Sequence, residues 1–166
     1  MKLKNIFICI LIFTLNIISY AESSIPKVEY KKIEVNSLED IKKWKDSDEL
    51  YVFTKINIDL SKLSPLKKKD TFVDILLPSI KVVNAEIENN RNIAKTLSQK
   101  TTLSEEEKKY AENLFKKYRV EYGDWEKLYS RLIIYPTSLI LTQGAIESGW
   151  GTSRFFKEGN NLFGMW

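Results

Sequence analysis

Apolar residues recur along this chain at spacings that predict helices over most of its length. After Ser64-Pro65, Phe72, Leu76, Ile80, Val83, Ile87, Ala94 and Leu97 stand three, four or seven residues apart, the period of one long amphipathic helix. Pro78 falls inside it and lacks an amide donor, which predicts a kink or a break into two helices. Lys81, Glu86, Glu88, Asn90 and Lys95 are assigned to its solvated face. Ser104 followed by Glu107 forms a capping box opening a helix with Tyr110, Leu114 and Tyr118 on one face. Gly123-Asp124 ends that element and caps a short one carrying Trp125, Leu128 and Leu132. A further apolar helix starts at Pro136 and ends at Gly149 and Gly151. Leu139, Gln143 and Ile146 share a face of it, Gly144 and Ala145 permit close approach of another backbone, and its apolar composition predicts burial.

The pattern is weaker upstream. Ser37 to Asp40 predicts a capped short helix with Ile41 and Trp44 on one face, and Tyr51 to Ile58 alternates like an extended segment. Residues 22–64 are expected to form a weakly structured arm. At the start, Lys2 and Lys4 precede an apolar run from Ile6 to Tyr20, too short for the roughly 20 residues of a spanning helix. Small residues Ser19 and Ala21 suit signal-peptidase cleavage. Residues 1–21 are thus expected to be a Sec-type signal peptide, with membrane contact only transient and the product periplasmic or secreted to the envelope.

Composition narrows the chemistry. The chain has no histidine and one cysteine, Cys9, inside the leader, so the usual catalytic triads, Cys-His pairs and zinc sites cannot be built from it. No metal or cofactor is expected, and carboxylates must carry any acid-base work. Without Lys2 and Lys4 the 26 basic residues become 24 against 22 acidic ones, a formal charge of +2, which does not suggest a nucleic-acid partner. Glu147 stands out because it closes an apolar helix at the negative end of the macrodipole, where a carboxylate is locally unfavourable. That field, together with burial beside Trp150, would favour the protonated form that a general acid needs. The plainer alternative is a hydrated helix-end carboxylate bonded to Ser148 or Ser153. Trp150 and Phe155 fit a core as well as a sugar platform, and Asn160 and Asn161 fit a turn as well as an acetamido site.

The run Ala145-Ile146-Glu147-Ser148-Gly149-Trp150-Gly151-Thr152-Ser153-Arg154-Phe155, followed by Gly159-Asn160-Asn161-Leu162-Phe163-Gly164, resembles the signature of the peptidoglycan glucosaminidase family in its Bax-like bacterial branch. Lys69 to Pro78 resembles the same branch, so the likeness covers roughly residues 65–166, the expected glucosaminidase domain. The resemblance implies a mostly α, lysozyme-like domain that hydrolyses the β-1,4 bond after N-acetylglucosamine in peptidoglycan glycan strands. It places the catalytic acid at Glu147, protonating the leaving oxygen as charge develops at the anomeric carbon. It assigns Ser148, Trp150, Ser153, Asn161 and Phe163 to positions that shape the substrate cleft.

In that family the residues of the second side of the cleft lie downstream of the Gly-Asn-Asn-Leu-Phe-Gly loop, whereas this sequence continues only through Met165 and Trp166. The expectation is a domain truncated on its C-terminal side. Two alternatives remain open: a muramidase or lytic transglycosylase of the same fold, and a non-catalytic exported module that binds glycan or a membrane complex.

Overall fold

The computed structural model describes residues 25–163. The expected leader, Cys9, and Gly164 to Trp166 lie outside the described residues. The fold is mostly α: six α-helices, a 3-10 turn and two short strands follow one another among the described residues.

The segment expected to be a loose arm is a folded βαβ unit. Strand β1 (Lys31–Val35) leads into helix α1 (Leu38–Lys45), which returns to strand β2 (Tyr51–Ile56). The strands pair in parallel, Lys31 opposite Tyr51 and Val35 opposite Ile56, with a bulge between Ile33 and Glu34. Parallel pairing needs a crossover, and residues 36–50 with α1 supply it. The Ser37 signal is real: the Ser37 amide donates to Asp40 Oδ2 at 2.8 Å and the Asp40 amide to Ser37 Oγ at 3.4 Å. The Asn36 amide, then the Ser37 hydroxyl and amide, all donate to Asp40 Oδ2 and hold its carboxyl below the usual range. The alternation read over residues 51–58 becomes β2, followed by a 3-10 turn, Leu60–Lys62.

Helix α2 (Pro65–Ser98) is 34 residues long, about 51 Å at the α-helical rise, and it joins two apolar cores. Pro78 lies within this one helix, so of the kink or break that the sequence predicted, the break is not made. One missing amide is a small loss against a buried face that includes Phe72, Ile75, Leu76, Ile80 and Val82. The inward face differs from expectation in two places. Val83 is exposed while its neighbour Val82 is buried, and Asn90, assigned to the solvated side, is buried. The Tyr110 hydroxyl donates to Asn90 Oδ1 at 2.6 Å, which satisfies the amide inside the protein.

The first core sits around the N-terminal half of α2, where Val35, Ile41 and Ile56 of the βαβ unit and Leu60 of the 3-10 turn meet Phe72, Ile75, Leu76 and Ile80. The second lies along its C-terminal half, where Ile93, Ala94 and Leu97 meet helix α3 (Glu105–Lys117) and helix α4 (Trp125–Arg131). Helix α3 opens on the predicted capping box. It stops earlier than Gly123: Tyr118 caps it and Arg119 takes the left-handed conformation at φ 53°. Asp124 caps α4 as expected, accepting from the Lys127 amide at 3.0 Å. No helix among the described residues is long and apolar enough to cross a membrane.

Phe72 is fully buried where α2, the 3-10 turn and the C-terminal motif meet. Phe72→Ala is expected to lower stability by about 3–5 kcal/mol through lost transfer energy and a residual cavity, measured by urea unfolding.

Candidate active site

Helix α5 (Thr137–Ser148) carries the first half of the motif, and helix α6 (Arg154–Gly159) the second. The burial predicted for α5 is not found: Gly144, Ala145 and Ser148 are buried, while Leu139 is 53% and Ile146 76% exposed. Small residues form the inner face, and this decides how the helix packs. A Cβ on Gly144 would stand 2.9 Å from Leu76 Cδ2 and 3.4 Å from Phe163 Cε1. Only a residue without a side chain lets α5 close on α2 there. Pro136 is the N-cap of α5, one position earlier than the first helical turn.

The end of α5 is a tightly bonded turn. Gly149 at φ 58°, Trp150 at φ 60° and Gly151 at φ 74° are left-handed in succession. The Trp150 amide donates to the Ala145 carbonyl at 2.9 Å and the Gly149 amide to the Ile146 carbonyl at 3.4 Å, so the last carbonyls of α5 are satisfied in a Schellman arrangement. Gly151 cannot be replaced sterically, since a Cβ would lie 2.7 Å from Leu60 Cδ1 and 3.1 Å from Phe156 Cε1. Trp150 tolerates its unfavourable backbone because its half-buried ring meets Phe72 edge-on at 5.7 Å, with the Lys69 ammonium 5.1 Å from the ring centre.

Ser148, assigned by resemblance to the cleft, is 1% exposed and organises this turn from inside. Its hydroxyl donates to the Gly144 carbonyl and accepts from the Gly151 amide at 2.9 Å. Its carbonyl accepts from the Thr152 amide at 3.0 Å and the Ser153 amide at 2.9 Å. A side chain used in this way holds backbone and leaves no surface for a sugar. Ser153 caps α6, accepting from the Phe156 amide at 3.2 Å. Asn161 Oδ1 accepts from the Phe163 amide at 3.2 Å, a local turn contact. Phe163 is half-buried with its ring over Gly144. Trp150 is closer to the core reading than to an open sugar platform.

Glu147 is placed differently from these residues. It is exposed, so the burial beside Trp150 expected from sequence is absent. Its position is on the outer side of the last turn of α5, one residue and about 100° of helical rotation from the inward-facing Ser148. Its carboxylate bonds neither Ser148 nor Ser153; Gln143 Nε2 donates to Glu147 Oε1 at 2.8 Å. The structure therefore brings Ser148, Trp150, Ser153 and Phe163 into the scaffold of a turn and leaves Glu147 facing outward from it.

Sequence reasoning missed that the N-terminal unit clasps this motif. The Ile56 amide donates to Asn160 Oδ1 at 3.1 Å, and Asn160 is the left-handed cap of α6 at φ 50°. Lys157 Nζ lies 3.0 Å from Asp59 Oδ1 and donates to Ser61 Oγ at 3.1 Å. Leu60 packs beneath Gly151. The Ser61 hydroxyl, then the Lys157 ammonium, then the Ser61 amide hold the Asp59 carboxyl down at about 2. These pairings join residues some hundred positions apart, and neither member carries a local signal for its partner. Among the described residues no group of three or more His, Cys, Asp or Glu side chains could hold a metal ion.

A family model matches the segment that carries this motif. Residues 122–166 match the model of the Glucosaminidase family, described as mannosyl-glycoprotein endo-beta-N-acetylglucosaminidase. The chain is 35% identical over 104 residues to protein bax of Escherichia coli (strain K12), a match covering 59% of this chain and 38% of that protein. The likeness therefore spans well under half the length of the relative. No solved structure matches the chain.

Ser148→Ala is expected to cost about 1–3 kcal/mol, because the buried Gly151 amide loses its acceptor; a lowered denaturation midpoint would show it. The Asp59 carboxyl is depressed in the folded state, so its stabilisation is fully present above pH 4 and is lost as pH falls toward about 2. Asp59→Asn should flatten the loss of stability over that window, as read from thermal melts at stepped pH.

Proposed function

We propose, on the premise of a glucosaminidase-family segment at residues 122–166, that this protein is a glycosidase of the bacterial cell envelope. Its substrate on this reading is the β-1,4 bond after N-acetylglucosamine in peptidoglycan strands, and Glu147 is the general acid. Export through residues 1–21 would deliver it to that substrate. The observation that carries the reading is the coincidence of the family match with an outward-facing carboxylate on a rigid turn.

The acidic residues of the described part of the matched segment are Asp124, Glu126, Glu147 and Glu158. Asp124 is occupied as the cap of α4, and Glu158 lies 3.6 Å from Arg154 within α6. Glu126 belongs to the first turn of α4, outside the motif. Glu147 is the carboxylate that the motif surrounds. With no histidine in the chain, a carboxylic acid is the natural proton donor to a glycosidic oxygen. The proton passes from Glu147 to the bridging oxygen as the bond to the anomeric carbon breaks, the electron pair leaves with that oxygen, and positive charge develops on the sugar.

The buried hydrogen bonds of Ser148 and the Schellman closure fix the backbone on both sides of this acid, which holds a proton donor within the narrow geometry that transfer requires. Glu147→Gln preserves size and removes the proton. The variant should leave no clearing in a peptidoglycan zymogram of the full-length protein while its thermal melt is unchanged. Clearing at the wild-type level would remove Glu147 from the mechanism. Mass spectrometry of wild-type products should show N-acetylglucosamine at the new reducing ends.

A further inference from the structure

We propose that Gln143 is the positioning residue of the reaction: its side-chain amide holds one oxygen of the Glu147 carboxyl so that the other oxygen delivers the proton. This rests on the reading of Glu147 as the general acid.

Gln143 and Glu147 lie four residues apart on α5, and the amide donates to Oε1 at 2.8 Å. Both side chains are exposed, so the pair contributes little to folding. Its consequence is geometric. An exposed glutamate keeps most of its rotamer freedom, and a donor one turn away restricts that freedom before substrate arrives.

The surroundings give Glu147 few other donors. The Ser148 hydroxyl is turned inward onto Gly144 and Gly151. Thr152 Oγ1 donates to the Gly149 carbonyl at 2.8 Å, and Arg154 faces Glu158. On the exposed side of α5 the neighbours Leu139 and Ile146 are apolar. Gln143 is the side chain shown bonding Glu147 among the described residues.

The choice of an amide is chemically apt. A lysine in its place would hold the carboxylate ionised, and a carboxylate would compete for the proton, whereas a neutral amide donates to the carboxyl in either protonation state and favours ionisation less than a full positive charge does. In a protonated carboxyl the carbonyl oxygen accepts from an N–H donor, so a bond to Oε1 leaves the proton on Oε2. That proton moves from Oε2 to the glycosidic oxygen as the glycosidic bond breaks, leaving the carboxylate with its Oε1 bond intact.

The experiment compares two substrates in the full-length protein. One is a natural glycan strand, whose leaving alcohol needs a proton. The other is a dinitrophenyl glycoside of an N-acetylglucosamine oligomer, whose phenolate leaves without one. Gln143→Met removes the donor at nearly constant volume, and Gln143→Asn keeps the amide but falls short of Oε1. Both are expected to lower kcat on the glycan by about tenfold or more, a fraction of what general acid catalysis contributes. KM should stay within about twofold, and kcat on the activated glycoside should match wild type. Equal losses on both substrates, or none on the glycan, would overturn the proposal. Glu147→Gln is the control: if it cleaves glycan like wild type, the underlying reading of Glu147 is wrong. If it loses glycan cleavage while the Gln143 variants do not, the positioning role alone fails.

Discussion

Closure of the left-handed turn at Gly149, Trp150 and Gly151 over Leu60 and Phe72 is the constraint on which the rest of the motif depends. Three successive positive φ values are tolerable because two of the residues are glycine and the third, Trp150, is compensated by its ring against Phe72. A Cβ at Gly151 would push into Leu60, so the turn can close only as far as the N-terminal unit allows. Ser148 completes the closure by satisfying the Gly151 amide inside the protein.

From this turn the division of labour in the motif follows. Residues that resemblance assigns to a substrate cleft are, in this structure, largely occupied with backbone: Ser148 inside the turn, Ser153 at the start of α6, Asn161 in the bend before Phe163. Glu147, by contrast, faces outward, bonded to a side chain one helical turn back. On the proposed reading of Glu147 as general acid, a buried scaffold with an exposed carboxylate at its rim suits the task, because a donor must reach a ligand while its backbone cannot drift.

The βαβ unit extends the same constraint to the N-terminal part of the chain. Ile56, Asp59 and Leu60 contact Asn160, Lys157 and Gly151 through a backbone bond, an ion pair and apolar packing. Residues 31–63 are therefore part of the support for the motif, and α2 is the axis against which both are packed. The long helix tolerates Pro78 because burial along its inner face outweighs one absent amide bond.

Helix α1 and the helices of residues 65–148 were legible in the chain itself, because their period, the Ser37, Ser104 and Asp124 caps and the glycine stop at Gly149 are local signals that act within one or two turns. The likeness of residues 145–164 to a family signature was legible as well, because it rests on contiguous residues that include Glu147. Which way Glu147 faces was not, since an apolar helix that buries only Gly144, Ala145 and Ser148 has the composition of a buried helix and the exposure of a surface one. Nor was the folded state of residues 31–63, whose strands are short and whose partners lie far along the sequence. Such contacts are decided by tertiary packing, where the missing Cβ of Gly151 admits Leu60 and the Ile56 amide meets Asn160 Oδ1, and no local periodicity encodes that pairing.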